Sequence, residues 1–187
     1  MPVTINGDGS ITGLSVGGLG AGVVNTASIA DGAVTNIKHG AGSVVQVKYA
    51  QTKSNTNSGS SSYTNFANLN VSITPTSSSN LLICQYNIIV RVRENNSHGA
   101  FAWIAVSDDD GSSYLAENYH RNYDYGGSGT ILDIGVSSQH SKTSGSTTTR
   151  TYKLYGKRNG SADANAFELN PANNQNSSGV TIMEIAV

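Results

Sequence analysis

The stretch Leu82-Ile83-Cys84-Gln85-Tyr86-Asn87-Ile88-Ile89-Val90-Arg91-Val92-Arg93 decides the fold class. Leu82, Cys84, Tyr86, Ile88, Val90 and Val92 share one face of a two-residue period. Gln85, Asn87, Ile89, Arg91 and Arg93 share the other. That alternation is a long β-strand with one buried face, half solvated at its far end. Outward from it the pattern repeats. Val45, Val47 and Tyr49 alternate with polar positions, and so do Ala67, Leu69, Val71 and Ile73 until Pro75 stops the run. Phe101 to Val106 is apolar on both faces. Thr130 to Val136, Arg150 to Lys157, Ala166 to Leu169 and Val180 to Val187 complete a set of about eight strands with Ser-, Asn- and Gly-rich connections. The expectation is an all-β chain folded as a β-sandwich or jelly roll. In the last strand Val180, Ile182 and Ala186 share one face and Thr181, Met183, Ile185 and Val187 the other, with Glu184 its single charge. Both faces therefore want burial, which predicts a strand central in its sheet or pressed against another subunit. Val180, Ile182, Met183 and Ile185 are the candidate interface residues.

Composition agrees and excludes several classes. Of 187 residues only 12% are charged, the net charge is -1 and there is one Cys, while Ser, Asn, Thr and Gly make up about 44%. A chain this poor in charge lacks the basic field of a nucleic-acid binder. One Cys permits neither an intrachain disulfide nor a thiolate metal cluster. No apolar run approaches a membrane span, and Met1-Pro2-Val3-Thr4-Ile5 lacks the parts of a secretory signal. The first 42 residues hold 10 of the 21 Gly, no aromatic, and isolated aliphatics such as Ile5, Ile11, Leu14, Val16 and Leu19. Such a segment cannot build a core alone. It reads either as a sticky disordered tail or, preferably, as a thin segment ordered against other chains. The division predicted is 1–42 and 43–187.

Chemistry is sparse. His39, His98, His120 and His140 have no ligand spacing. Asp108-Asp109-Asp110-Gly111 with Glu117 resembles a calcium loop only until Val106 falls at its first ligand position, so a hairpin loop is the better reading. Cys84 alternates onto the apolar face and reads as a small buried hydrophobe. With no nucleophile elbow, phosphate loop or paired-carboxylate motif, the chain reads as non-enzymatic, without cofactor or metal. One cluster stands out: Tyr114, Tyr119, His120, Arg121, Tyr123, Asp124 and Tyr125, ahead of Gly126-Gly127-Ser128-Gly129. Tyr offers rigid apolar area with a hydrogen-bonding tip, which suits a glycan-binding loop. The same rings could equally pack in the sandwich or at a subunit interface.

Ile11-Thr12-Gly13-Leu14-Ser15-Val16-Gly17-Gly18-Leu19 and Ser28-Ile29-Ala30-Asp31-Gly32-Ala33-Val34-Thr35-Asn36-Ile37-Lys38 resemble the amino-terminal and shaft segments of tail-fibre proteins from marine bacteriophages, especially those infecting cyanobacteria. Val71-Ser72-Ile73-Thr74-Pro75-Thr76-Ser77-Ser78-Ser79-Asn80-Leu81-Leu82-Ile83 and Val180-Thr181-Ile182-Met183-Glu184-Ile185 are similar to the jelly-roll tips of such fibres. The resemblance implies a virion protein assembled in the host cytoplasm. It implies a homotrimer whose Gly-rich extended N-terminal segment docks on a tail, baseplate or capsid protein and forms a very short shaft. Its head would be similar to the tumour necrosis factor and complement globular-head trimers and would bind a host surface glycan or protein, without nucleic acid or membrane insertion. A head fibre, capsid decoration or tail adaptor of purely structural role is the alternative.

Overall fold

The structure, a computed structural model, describes residues 4–8, 11–12, 40–58, 60–93, 100–109, 111–122, 131–158, 167–170 and 177–187. The chain divides into two compact units, Met1–His39 and Gly40–Val187, so the compositional boundary at 42/43 falls just inside the second. In the first unit β1 (Thr4–Ile5) and β2 (Ile11–Thr12) pair antiparallel, with Ile5 opposite Ile11. Leu14, Val16 and Leu19 lie outside the described residues.

The second unit contains β3 (Val44–Thr52), β4 (Thr56–Ser58), β5 (Thr64–Asn65), β6 (Val71–Ile73), β7 (Leu81–Arg93), β8 (Ala100–Ser107), β9 (Ala116–Asn122), β10 (Ile131–Thr143), β11 (Arg150–Arg158), β12 (Phe167–Leu169) and β13 (Ser178–Ile185). Three pairs of these are single strands broken in the middle. β12 and β13 both run along β7, β4 and β3 follow them, and β5 and β6 both pair with β11. The pieces therefore make eight strand positions in two antiparallel sheets. In chain order the first sheet runs one, eight, three, six (β3/β4, β12/β13, β7, β10) and the second two, seven, four, five (β5/β6, β11, β8, β9). That wind, with successive strands crossing between facing sheets, is a jelly roll.

The core between the sheets is what the period of two predicts. Leu82, Cys84, Tyr86, Ile88, Val90 and Val92 of β7 are buried, and they meet Ala102, Ile104 and Val106 of β8 and Tyr152 and Leu154 of β11. Each large apolar side chain so buried contributes about 1.5–3 kcal/mol relative to exposure. Cys84 is 1% exposed and burial pushes its thiol up to about 12, so it is core and not a nucleophile.

β13 lies between β3 and β7, which satisfies the expectation of a central strand. Its faces are not equivalent. Val180 and Ile182 are 2% and 0% exposed and belong to the core of this chain, so they have no surface to offer a neighbouring subunit. Met183 and Ile185 project from the other side and are only partly covered. Glu184 explains its own presence on the inward face. It is fully buried, and its carboxylate accepts from Gln46 Nε2 (2.6 Å), Thr76 N (2.8 Å), Thr76 Oγ1 (2.7 Å) and Asn80 Nδ2 (2.7 Å). Four donors replace the water that a buried charge would lack.

Two assignments change. Phe66 to Leu69 is not strand: Ala67–Leu69 is a turn of 3-10 helix. Phe66 and Leu69, three apart, both bury there, and a three-residue turn allows this where a strand would not. The Tyr-rich segment is not wholly loop either, since Ala116–Asn122 is the edge strand β9. The two ends of this unit close on each other: Gly42 N donates to Ala186 O (2.8 Å) and Ala186 N to Ser43 O (2.9 Å).

Candidate functional site

The outward face of the second sheet carries an aromatic row. In β8 the side chains of Ala102, Ile104 and Val106 go to the core, so Trp103, Ala105 and Ser107 take the opposite side. Strand register sets Trp103 between Lys157 of β11 and Tyr119 of β9, and Ala105 between Tyr155 and Glu117. The Trp103 and Tyr119 rings are 4.8 Å apart at 54°. Tyr63, just before β5, and Tyr114, just before β9, lean in from the two connections. Their rings are 4.3 Å apart, and Tyr114 meets Tyr155 edge-on at 5.7 Å. The Lys157 ammonium sits 4.0 Å from the Tyr63 ring centre and 5.3 Å from that of Trp103, so one cation bridges both halves of the row.

Polar groups pin this surface. Tyr63 donates its hydroxyl to Glu117 Oε1 at 2.5 Å. Burial first, and then that bond to a carboxylate, raise the Tyr63 hydroxyl well above its ordinary pKa; burial likewise raises those of Tyr114 and Tyr155. All three rings therefore stay neutral donors at physiological pH. Gly111, at φ +82°, has the Tyr155 ring 3.2 Å from where a Cβ would stand, so the β8–β9 loop lies directly on the row. Chemically the face offers apolar ring surface, hydroxyl donors, one carboxylate and one ammonium, which is the set a sugar ring needs to stack and hydrogen-bond.

Of the residues expected to form a binding surface, Tyr114 and Tyr119 are in this row, the latter 46% exposed. His120 and Arg121 occupy β9 register positions opposite Ala102 and Phe101. Tyr123, Asp124 and Tyr125 lie outside the described residues. Glu117 joins the site from within the Tyr114–Tyr125 stretch, and Tyr63, Trp103, Tyr155 and Lys157 join it from elsewhere in the sequence. The one available signal was Trp103 itself, whose alternation with Ala102 and Ile104 sets it on a separate face.

The Asp108-Asp109 segment is the β8–β9 hairpin connection. Asp109 accepts from Ser107 Oγ (2.6 Å), Ser113 N (3.0 Å) and Ser113 Oγ (2.6 Å), bonds that lower its carboxyl to about 2, that from Ser107 most. Asp108 pairs with Lys142 (3.2 Å) and Arg150 (3.0 Å). Among the described residues no three His, Cys, Asp or Glu side chains converge as metal ligands.

No protein-family model matches the chain, and no curated protein does. Two solved structures of infectious bursal disease virus show a distant likeness. One is of the Gx strain (12% identity, TM-score 0.36, 75% of this chain and 32% of that one). The other is a mutant VP2 protein in derived T=1 particles (11% identity, TM-score 0.31, 76% of this chain and 36% of that one). The chain spans roughly a third of the length of each. At that overlap the likeness adds nothing to what the strand order establishes.

Proposed function

We propose that the jelly-roll unit is the saccharide-binding head of a non-enzymatic, homotrimeric virion fibre, joined to a tail, baseplate or capsid protein through the segment holding Ile5, Ile11, Leu14, Val16 and Leu19. The observation that carries this reading is the aromatic row from Tyr155 to Tyr119, stacked and bridged by Lys157 on a sheet face turned away from the core. The resemblance of the sequence to phage fibres supports the virion setting. The first sheet supports the trimer: Val44, Val47 and Tyr49 are 50%, 49% and 75% exposed beside Met183 and Ile185, a patch with no carboxylate, ammonium or guanidinium among those five. One sheet would then face the copies and the other the host glycan, with three weak sites raised by avidity.

Binding of the full chain to host-surface polysaccharide, compared with Trp103→Ala, tests the site. Loss of binding with an unchanged oligomer is the expected result, and equal binding sinks the reading. Tyr49→Asp with Met183→Asp should convert a trimer to monomer in light scattering. A purely structural role as head fibre, capsid decoration or tail adaptor has one observation in its favour, since Tyr155 is only 8% exposed and Tyr63 and Tyr114 are half-buried. Absence of polysaccharide binding by the unaltered chain together with labelling on the capsid would select it.

A further inference from the structure

Lys153, two residues along β11 from Tyr155 and on the same outward face, lines a polar cleft of about 540 Å³ together with Asp108, Asp109, Lys142, Arg150 and neighbouring threonines. Two residues of strand span roughly 7 Å, so row and cleft are adjacent. The β8–β9 loop belongs to both. Its Asp108 and Asp109 wall the cleft, its Gly111 lies against the Tyr155 ring, and Tyr114 just beyond it packs on Tyr155 and Tyr63.

The acceptors of the cleft are satisfied from within the protein. Both oxygens of Asp109 take bonds from Ser107 and Ser113. The Asp108 side chain, 7% exposed, takes Lys142 and Arg150 together on Oδ2. The donors are in surplus. An ammonium carries three N–H groups. That of Lys142, with its side chain 44% exposed, meets Asp108 at 3.2 Å. Among the described residues lining the cleft there are three cations, Lys142, Arg150 and Lys153, and two carboxylates. An occupant that matches this lining brings acceptors and negative charge.

We infer that the cleft is an oxyanion subsite, which takes the carboxylate or sulfate of an acidic saccharide while a neighbouring sugar ring stacks on the aromatic row. This rests on the saccharide reading of the row and specifies the class of glycan. Lys142 and Lys153 hold the oxyanion, and the internally paired Asp108 keeps Arg150 and Lys142 in place.

The test is calorimetric titration of the full chain with three probes: tetragalacturonic acid, a heparin-derived sulfated tetrasaccharide and neutral galactotetraose. At low salt a charged probe should bind about tenfold more tightly than the neutral one, a preference that fades near about 0.5 M salt. Lys142→Gln and Lys153→Gln, each checked for an unchanged melting temperature, should remove that preference and leave neutral binding intact. Whichever charged probe binds more tightly identifies carboxylate or sulfate as the source. Equal binding of all three probes, or a preference that survives both lysine variants, overturns the subsite and leaves the aromatic row standing. Lysine-dependent binding of a charged probe that Trp103→Ala does not weaken keeps the cleft and overturns the row. Binding of none overturns both.

Discussion

Trp103 and Tyr119 stand directly opposite each other on β8 and β9, rings 4.8 Å apart, yet Tyr119 keeps 46% of its surface in solvent. A cross-strand aromatic pair contributes about 0.2–1 kcal/mol, and the edge position of β9 puts this one at the low end. Tyr119→Ala should therefore lower the unfolding free energy by no more than ~1 kcal/mol in urea titration. Tyr155→Ala, which empties a buried site under Tyr114, should cost ~3 kcal/mol or more. Equal losses would show that Tyr119 is a packing residue.

Glu184 makes stability depend on acid. Burial alone would raise its pKa, but the bonds from Gln46, Asn80 and Thr76 outweigh burial and hold it below the ordinary carboxylate value. In the unfolded chain the group takes its proton near pH ~4.3. Its contribution is thus complete above that pH and disappears as pH falls through the lower folded value. The midpoint of thermal unfolding should drop on acidification below about pH 4, and Glu184→Gln should flatten that dependence. Glu184→Ala leaves Thr76 N without an acceptor and Asn80 Nδ2 with Thr76 Oγ1 alone, and should cost ~3 kcal/mol at neutral pH.

Gly156 is a steric requirement. A Cβ there would lie 2.5 Å from the Phe66 and Phe167 rings, each 1% exposed. Gly156→Ala should destabilise by about 3 kcal/mol, since neither ring has room to retreat. Adding Phe66→Leu should recover part of the loss, and a double variant no better than the single one would place the strain elsewhere.

Asn170 joins the two halves of the broken strand. At φ 51° it donates Nδ2 to Thr52 O (3.0 Å) and Ser54 O (3.2 Å) and accepts from Ser178 Oγ (2.6 Å). Asn170→Gly keeps the left-handed backbone and should lose ~1–2 kcal/mol of hydrogen bonding. Asn170→Ala adds backbone strain of ~1 kcal/mol to that loss. The difference between the two midpoints measures that strain less the ~0.4–1 kcal/mol by which Gly makes the unfolded chain more flexible than Ala.

The sandwich was legible where burial sets the pattern. β7 alternates because one face meets the core, and Cys84 and Tyr86 fall where the period puts them. β9 was not legible, because Ala116-Glu117-Asn118-Tyr119-His120-Arg121-Asn122 shows no apolar face. Its strand form comes from pairing with β8, which no local period records. Ala67 and Leu69 alternate in company with Val71 and Ile73 and so mimic a strand, although a 3-10 turn buries Phe66 and Leu69 and leaves Ala67 exposed. The aromatic row was half legible for a related reason. Tyr114 and Tyr119 are close in sequence, whereas Tyr63, Trp103, Tyr155 and Lys157 meet them only through the register of β11 with β8 and of β8 with β9.

The bonds between Gly42 and Ala186 and between Ala186 and Ser43 have a further consequence. A unit whose ends are clasped side by side can be set into a surface loop of an unrelated carrier without stretching either protein. Joining 187 to 40 through a short bridge and opening the chain at an exposed turn should give a circular permutant with the same wind. Evolution and engineering have the same freedom here: the sandwich can be exchanged as a cassette, its carrier changed and its outward aromatic row kept.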